Sequence, residues 1–131
     1  MAEYLSVADV MALHATIMER TGSVPAPLRD EGLLESAVMR PQTASYYEEA
    51  DLIRQATLLA IGISQNQPFM EGNKRTAYAA LDVFLRINGQ AYDGNPIALS
   101  EQMERVAERS GSLDEATGIF EGWLRKHVSS I

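Results

Sequence analysis

The run "DLIRQATLLAIGISQ", Asp51 to Gln65, constrains the fold more than any other part of the chain. Its apolar residues, Leu52, Ile53, Ala56, Leu58, Leu59, Ala60, Ile61 and Ile63, leave no broad polar face at helical spacing. A helix apolar on most sides is stable only where neighbours cover it, so it belongs at the centre of a domain. With 131 residues the chain forms one domain, residues 1–131, long enough to cover such a helix without disulfide or metal staples.

The flanking segments read as the cover. Ser6 caps "VADVMALHATIMER", whose Val7, Val10, Met11, His14, Ile17 and Met18 recur at helical spacing, and Thr21-Gly22 ends it. "SVPAPLRD" reads as a loop because two prolines break any helix there. Asp30 caps a short helix, "EGLLESAVMR", expected to stop before Pro41 because the residue preceding a proline disfavours the α region. "PQTASYYEEA" then reads as a polar, tyrosine-bearing connector. After the central helix and a loop comes "NKRTAYAALDVFLRING", stopped by Asn88-Gly89. "YDGNP" gives turn signals, Ser100 is the expected cap of "LSEQMERVAERSG", and Ser112 with Glu115 forms a capping box for the last helix. No strand-like alternation, repeat or linker stands out. The expectation is an all-α fold of about six helices around a central apolar helix.

Composition narrows the partners. The chain has no cysteine, which excludes disulfides and thiolate sites and fits a cytoplasmic home. Its net charge of −7 argues against nucleic acid or an anionic membrane as main partner. No apolar run reaches transmembrane length, and "MAEYLSVADV" lacks the pattern of a signal peptide.

The loop "NQPFMEGNKRTA", Asn66 to Ala77, carries the chemistry. If a helix begins near Asn73, its first N–H groups lack partners and point outward beside the positive end of the dipole. Gly72 lets the backbone approach a ligand, and Lys74 and Arg75 fall in the first turn, where cations are disfavoured unless an anion sits there. Glu71 can hold a Mg²⁺ that bridges phosphate oxygens, and Phe69 reads as an apolar anchor. The plain alternative is a helix–helix connection with Asn73 as N-cap and two solvated cations.

"NQPFMEGNKRTAYAALDVFLRING" resembles the signature of the Doc (death-on-curing) toxins of the Fic fold, H-x-F-x-[DE]-[AG]-N-K-R. "LRDEGLLESAVMRP" and "VMALHATIMERTG" are similar to upstream parts of the same family, so the likeness runs from near residue 6 to about residue 95. It implies a Fic-like fold and transfer of phosphate from ATP to a hydroxyl of the translation factor EF-Tu. It also implies a Phd-like antitoxin whose C-terminal segment folds onto the toxin. Carried over, Glu71 takes the metal, while Gly72, Asn73, Lys74 and Arg75 cradle the phosphates. The region around Tyr46 and Tyr47 corresponds to the flap that guides the target peptide. Lys74 stands where the AMP-transferring Fic enzymes have glycine, which points to the Doc branch and away from AMP transfer.

One position departs from the pattern. Gln67 aligns with the family's histidine, the base for the attacking hydroxyl, and a neutral amide cannot take a proton at any usable pH. Three readings follow: a natural pseudo-enzyme that binds nucleotide or antitoxin, an enzyme using another base, or a substitution that silences a lethal toxin. The second lacks a good candidate, because His14 sits on a buried stripe and His127 near the C-terminus suits the helix dipole.

Two smaller signals complete the reading. Thr117, Glu121 and Gly122 match the loose [ST]-x-x-x-E-[GN] pattern of Fic inhibitory helices, but Ile119, Phe120 and Trp123 make the segment a better core helix. An antitoxin helix would require an exposed apolar groove beside the loop.

Overall fold

Nine consecutive residues of helix α3 (Leu52–Asn66), Gln55 to Ile63, are buried, so the apolar run does occupy the centre. The computed structural model describes residues 2–24 and 27–131; Pro25 and Ala26, in the loop expected between the first two helices, lie outside the described residues. Around α3 stand α1 (Val7–Arg20), α2 (Glu31–Glu48), α4 (Asn73–Ile87), α5 (Pro96–Ala107) and α6 (Leu113–Arg125). The fold is all-α with six helices among the described residues, as expected from the sequence. A ribbon of β1 (Gln90–Tyr92) and β2 (Val128–Ser130) is added, antiparallel with Ala91 opposite Ser129. At three residues per strand it is too short to register as alternation.

Capping chemistry sets most helix starts. The Ser6 hydroxyl accepts the Asp9 N–H while the Asp9 carboxylate accepts the Ser6 N–H, a complete capping box. Asp30 accepts from Leu33 N–H and Asp51 from Arg54 N–H. Ser112 accepts from Glu115 N–H, without the reciprocal bond that the sequence suggested. Ser100 is not a cap. Helix α5 begins five residues earlier, with Pro96 in its first turn and Asn95 accepting from Ile97 N–H, the favoured pairing of an N-cap asparagine with an N1 proline.

Helix α2 also corrects the sequence reading, because it runs through Pro41 to Glu48. An interior proline costs about 3 kcal/mol through its missing N–H and its clash with the preceding turn. Leu34, Ala37, Val38, Pro41 and Ala44 are all buried and form one stripe at helical spacing on both sides of the proline. The ring of Pro41 and the Ala44 methyl both pack on the buried side of this stripe, and that burial offsets part of the cost of the break. "PQTASYYEEA" is therefore mostly the last turns of a helix, with Glu49 ending it in the left-handed region.

Helices α2 and α3 approach closely at one point. A Cβ built on Gly62 would lie 3.1 Å from Ala37 Cβ and 3.2 Å from Ala37 Cα. Two small residues thus set the spacing of the central pair. Gly118, exposed within α6, has nothing within 4 Å of a built Cβ.

Both ends of the described chain are tied to the turn after α4. The Asn88 amide accepts from Glu3 N–H and donates to Glu3 C=O, at 2.7 and 2.9 Å, and Ile131 N–H donates to Gly89 C=O.

The two glycines should respond oppositely to the same change. Gly118→Ala is expected to stabilise the fold by about 0.5–1 kcal/mol from helix propensity alone. Gly62→Ala is expected to be destabilising by about 1 kcal/mol or more, because α2 must shift. Urea denaturation of the two variants measures both signs.

Candidate functional site

Helix α3 ends on Gln67, whose φ of 50° and ψ of 58° place it in the left-handed region. Glycine usually takes that position, since a Cβ there is strained. Gln67 N–H still donates to Ile63 C=O, and its own carbonyl receives the Arg29 Nε–H at 2.7 Å. Arg29 Nη2 reaches the Asn66 carbonyl at 2.8 Å, so one guanidinium satisfies two of the carbonyls that a helix end leaves open. The strap before α2 follows the same loop. Arg29 N–H and Asp30 N–H donate to Pro68 C=O, and Met70 N–H donates to Pro27 C=O.

Beyond this turn the loop is packed from below. Phe69 is buried and stacks on His14 with ring centroids 3.8 Å apart and planes 4° from parallel. His14, itself buried, donates its Nε2–H to Glu71 C=O at 2.9 Å, which fixes its tautomer. His14 is thus a satisfied core histidine, and Phe69 is the anchor that the sequence suggested. His127 lies against Trp123 and Tyr92, not at the loop.

The start of α4 is unusual. Its N-cap is Gly72, at φ +82°, which offers no side chain. A Cβ there would come within 2.9 Å of Met18 Sδ, at the end of a flexible side chain that can yield, so it is the left-handed conformation that calls for glycine. Asn73 is the first helical residue and not the cap that a plain helix connection would use. Its amide turns back, accepting from Phe69 N–H at 3.0 Å and donating to Phe69 C=O at 2.9 Å. The N–H groups of the first turn therefore have no protein acceptor among the described residues and face outward at the positive end of the dipole.

Two adjoining clefts meet at this helix end. The larger, of about 620 Å³, is lined by Glu71, Gly72, Asn73, Lys74 and Arg75, with Thr21, Ser23 and Ser100 at its polar wall. The second, of about 370 Å³, is lined by Gln67 and Ser64 together with Glu104, and shares Asn73 and Lys74 with the first. All six residues picked from the sequence motif thus converge on one helix end, with Gln67 and Glu71 in different clefts.

Their charges are not equivalent. Lys74 is paired with Glu104 of α5, so part of the cation excess in the first turn is already neutralised within the fold. Arg75 is exposed and has no ion-pair partner among the described residues. Glu71 is likewise exposed, and no hydrogen bond or ion pair engages its carboxylate among them. Those residues include no cluster of three or more candidate metal ligands. A single free carboxylate beside an anion cradle nevertheless fits Mg²⁺, which takes one or two protein carboxylates and otherwise water and phosphate oxygens.

The remaining expectations fall elsewhere. Tyr46 and Tyr47 lie in the last turn of α2, exposed and packed edge to face with centroids 4.8 Å apart, so they do not form an irregular flap. Thr117 is buried, donating to Leu113 C=O, and Glu121 pairs with Arg54 and Arg125. Neither residue lines the clefts, and the inhibitory reading of this segment has no geometric support. Glu121 belongs to a chain of charges, Glu48, Arg54, Glu121, Arg125 and Asp51, that joins the end of α2 and the start of α3 to α6. An apolar groove of about 270 Å³ does lie beside the loop, between Ile17, Tyr78, Ala79 and Met103, with Lys74 and Arg75 at its rim.

The comparisons with known proteins agree with this architecture. Residues 4–85 match the model of the Fic/DOC family. The chain is 35% identical over 131 aligned positions to a protein named Toxin Doc from Mycolicibacterium smegmatis, covering 94% of this chain and 95% of that one. It is 32% identical over 97 positions to the Protein kinase doc of Escherichia phage P1, covering 72% and 76%. The chain belongs to the Fic/DOC family, and these relatives place it on the Doc side.

Two residues at the site escaped the sequence reading. Arg29 and Glu104 lie 38 and 30 positions from the motif residues that they contact; one falls in "LRDEGLLESAVMRP" and the other in the expected fifth helix, but neither context points to the loop. Only the packing brings them in.

Removal of the Asn73 amide should loosen the loop. Asn73→Ala is expected to cost about 1–3 kcal/mol, because it leaves both polar groups of Phe69 unpaired, and a thermal or urea melt reads this directly. The charge chain predicts a pH effect. Hydrogen bonding from Arg125 holds the Asp51 carboxyl below its ordinary range. Its contribution is present above the unfolded value of about 3.9 and is lost as pH falls through the depressed folded value. Arg125→Met should therefore be less stable than the parent at pH 6 and converge with it towards pH 2 in urea titrations.

Proposed function

We propose that this chain is a Doc-type toxin that uses ATP and Mg²⁺ to phosphorylate a hydroxyl of a translation factor, EF-Tu, with turnover curbed by Gln67. The observation that carries this reading is the uncapped start of α4. Its outward N–H groups, the Gly72 turn and the unpaired Arg75 guanidinium form a preorganised cradle for a phosphate chain. Glu71 would hold Mg²⁺ in the larger cleft, where the metal would neutralise charge on the phosphate oxygens. The acceptor hydroxyl would enter from the cleft that Gln67 lines.

In that reaction the hydroxyl oxygen forms a bond to the γ-phosphorus while the β–γ bridging bond breaks and ADP departs. The hydroxyl proton then needs an acceptor. Gln67 can orient the hydroxyl by hydrogen bonding but cannot receive its proton. Phosphoryl transfer depends mainly on positioning and charge stabilisation, so residual turnover in this chain would need no protein base, the proton passing to solvent water.

The apolar groove rimmed by Lys74 and Arg75 supports a Phd-like antitoxin as partner, its helix laying apolar side chains over Ile17 and Met103. A target in translation and such an antitoxin both fit action in the cytoplasm. No helix among the described residues is long and apolar enough to cross a membrane, and the net charge of −7 disfavours direct nucleic-acid binding. The same cradle and the amide at position 67 also fit a catalytically silent binding protein. AMP transfer is disfavoured by the side chain of Lys74, where the AMP-transferring branch has glycine.

Purified protein incubated with γ-labelled ATP, Mg²⁺ and EF-Tu tests the reading. Gln67→His is expected to raise labelling by about 10²–10⁴-fold, the usual contribution of a general base. Labelling from α-labelled ATP would move the chain to AMP transfer. Nucleotide binding with no labelling by either form would leave a binding protein.

A further inference from the structure

Position 67 combines two features that ordinarily exclude each other. It holds a left-handed backbone, φ 50°, and it carries a side chain, one of only two such non-glycine residues among the described ones. The other, Glu49, is an exposed helix end away from the motif. A left-handed residue with a Cβ costs roughly 1–2 kcal/mol and persists only where its surroundings fix it. At a helix C-terminus the cheap solution is glycine. If the chemistry needs a side chain at this point, something else must hold the turn.

Arg29 supplies that hold. Its Nε–H and Nη2–H donate to the carbonyls of Gln67 and Asn66, at 2.7 and 2.8 Å, in the fork geometry that only an arginine presents. The cation also sits at the negative end of the α3 dipole, where it is favoured. The arginine is itself placed by its backbone, since Arg29 N–H and Asp30 N–H both donate to Pro68 C=O, at 2.6 and 3.1 Å. The Asn66 amide closes the arrangement by donating to Leu33 C=O in the first turn of α2. The strap and α2 thus grip the end of α3 at three successive carbonyls, those of Asn66, Gln67 and Pro68, and through the Asn66 side chain.

We propose that Arg29 is a positioning residue: its guanidinium holds residue 67 in the left-handed turn and so aims that side chain at the cleft where the acceptor hydroxyl enters. Arg29 lines neither cleft and touches no reacting atom. It acts only through position 67. The catalytic consequence rests on the proposed phosphotransfer, whereas the hold on the turn does not.

The experiment uses the full chain, as it stands and as Gln67→His, each with Arg29, Arg29→Lys or Arg29→Met. Amide hydrogen exchange is read first. Arg29→Met is expected to speed exchange at Gln67, Phe69 and Met70 by about tenfold or more, given what a hydrogen bond to a charged donor contributes. Leu59 and Ile61, inside α3, should stay unchanged. Unchanged exchange at the loop, or an equal increase along α3, overturns the proposal. In the Gln67→His background, Arg29→Met should lower kcat by about 10–100-fold while the KM for ATP stays within about twofold, because the cradle on α4 is untouched. Arg29→Lys, which can reach one carbonyl at a time, should recover part of the loss. A kcat that does not respond, or a KM that rises in step, overturns the positioning role. If Gln67→His transfers no phosphate at all, the phosphotransfer reading fails, and the exchange arm still decides whether Arg29 holds the turn.

Discussion

Everything in this molecule depends on covering α3. A helix buried along nine consecutive residues must be met by partners on every side, and each partner is fixed by that demand. Helix α2 tolerates a proline in its middle because its apolar stripe continues past it and α3 needs that stripe. Gly62 and Ala37 bring the two backbones together where larger residues would hold them apart. A continuous covering of this kind leaves little freedom at the end of α3. The chain that emerges there is placed by the core before any site chemistry is considered.

The loop inherits that rigidity and converts it into an open helix start. Phe69 is driven inward by its own burial and takes His14 as a stacking partner, and His14 in turn fixes the Glu71 carbonyl. Asn73 spends its amide on Phe69, which removes the one side chain that could have capped α4. Gly72 replaces it with a bare backbone. The other five helices each start on a side-chain cap, so the uncapped start here is the exception, and it lies beside the unpaired Arg75. An anion would complete the set. Lys74 is different: its pairing with Glu104 means that a ligand must share that cation with the fold.

Much of this was legible in the sequence, for physical reasons that differ by element. The central helix, the caps at Ser6, Asp30 and Ser112, and the stop at Asn88-Gly89 are local signals, and local chemistry decided them. The motif residues from Gln67 to Arg75 were found together because they are contiguous. Pro41 misled because its intrinsic penalty is local while the packing that overrides it is not. Ser100 misled because Asn95-Pro96 is a stronger start signal, with its cap five residues upstream. Arg29 and Glu104 were invisible, since nothing in a single sequence states that a strap before α2 or a face of α5 meets the loop. Family membership and fold are shown by the relatives and the architecture, while the work assigned to Gln67 and Glu71 rests on chemistry.

The tie between Asn88 and Glu3, together with the bond from Ile131 to Gly89, has a practical consequence. Both described ends of the chain gather at the far pole of α4, about 22 Å along the helix axis from its first turn. A fluorophore, an affinity tag or a fused protein joined at either end would project from that pole. The clefts and the apolar groove would remain open to solvent. Surface immobilisation through a terminus would therefore present the cleft-bearing end outward, and two copies joined tail to tail would keep both such ends free.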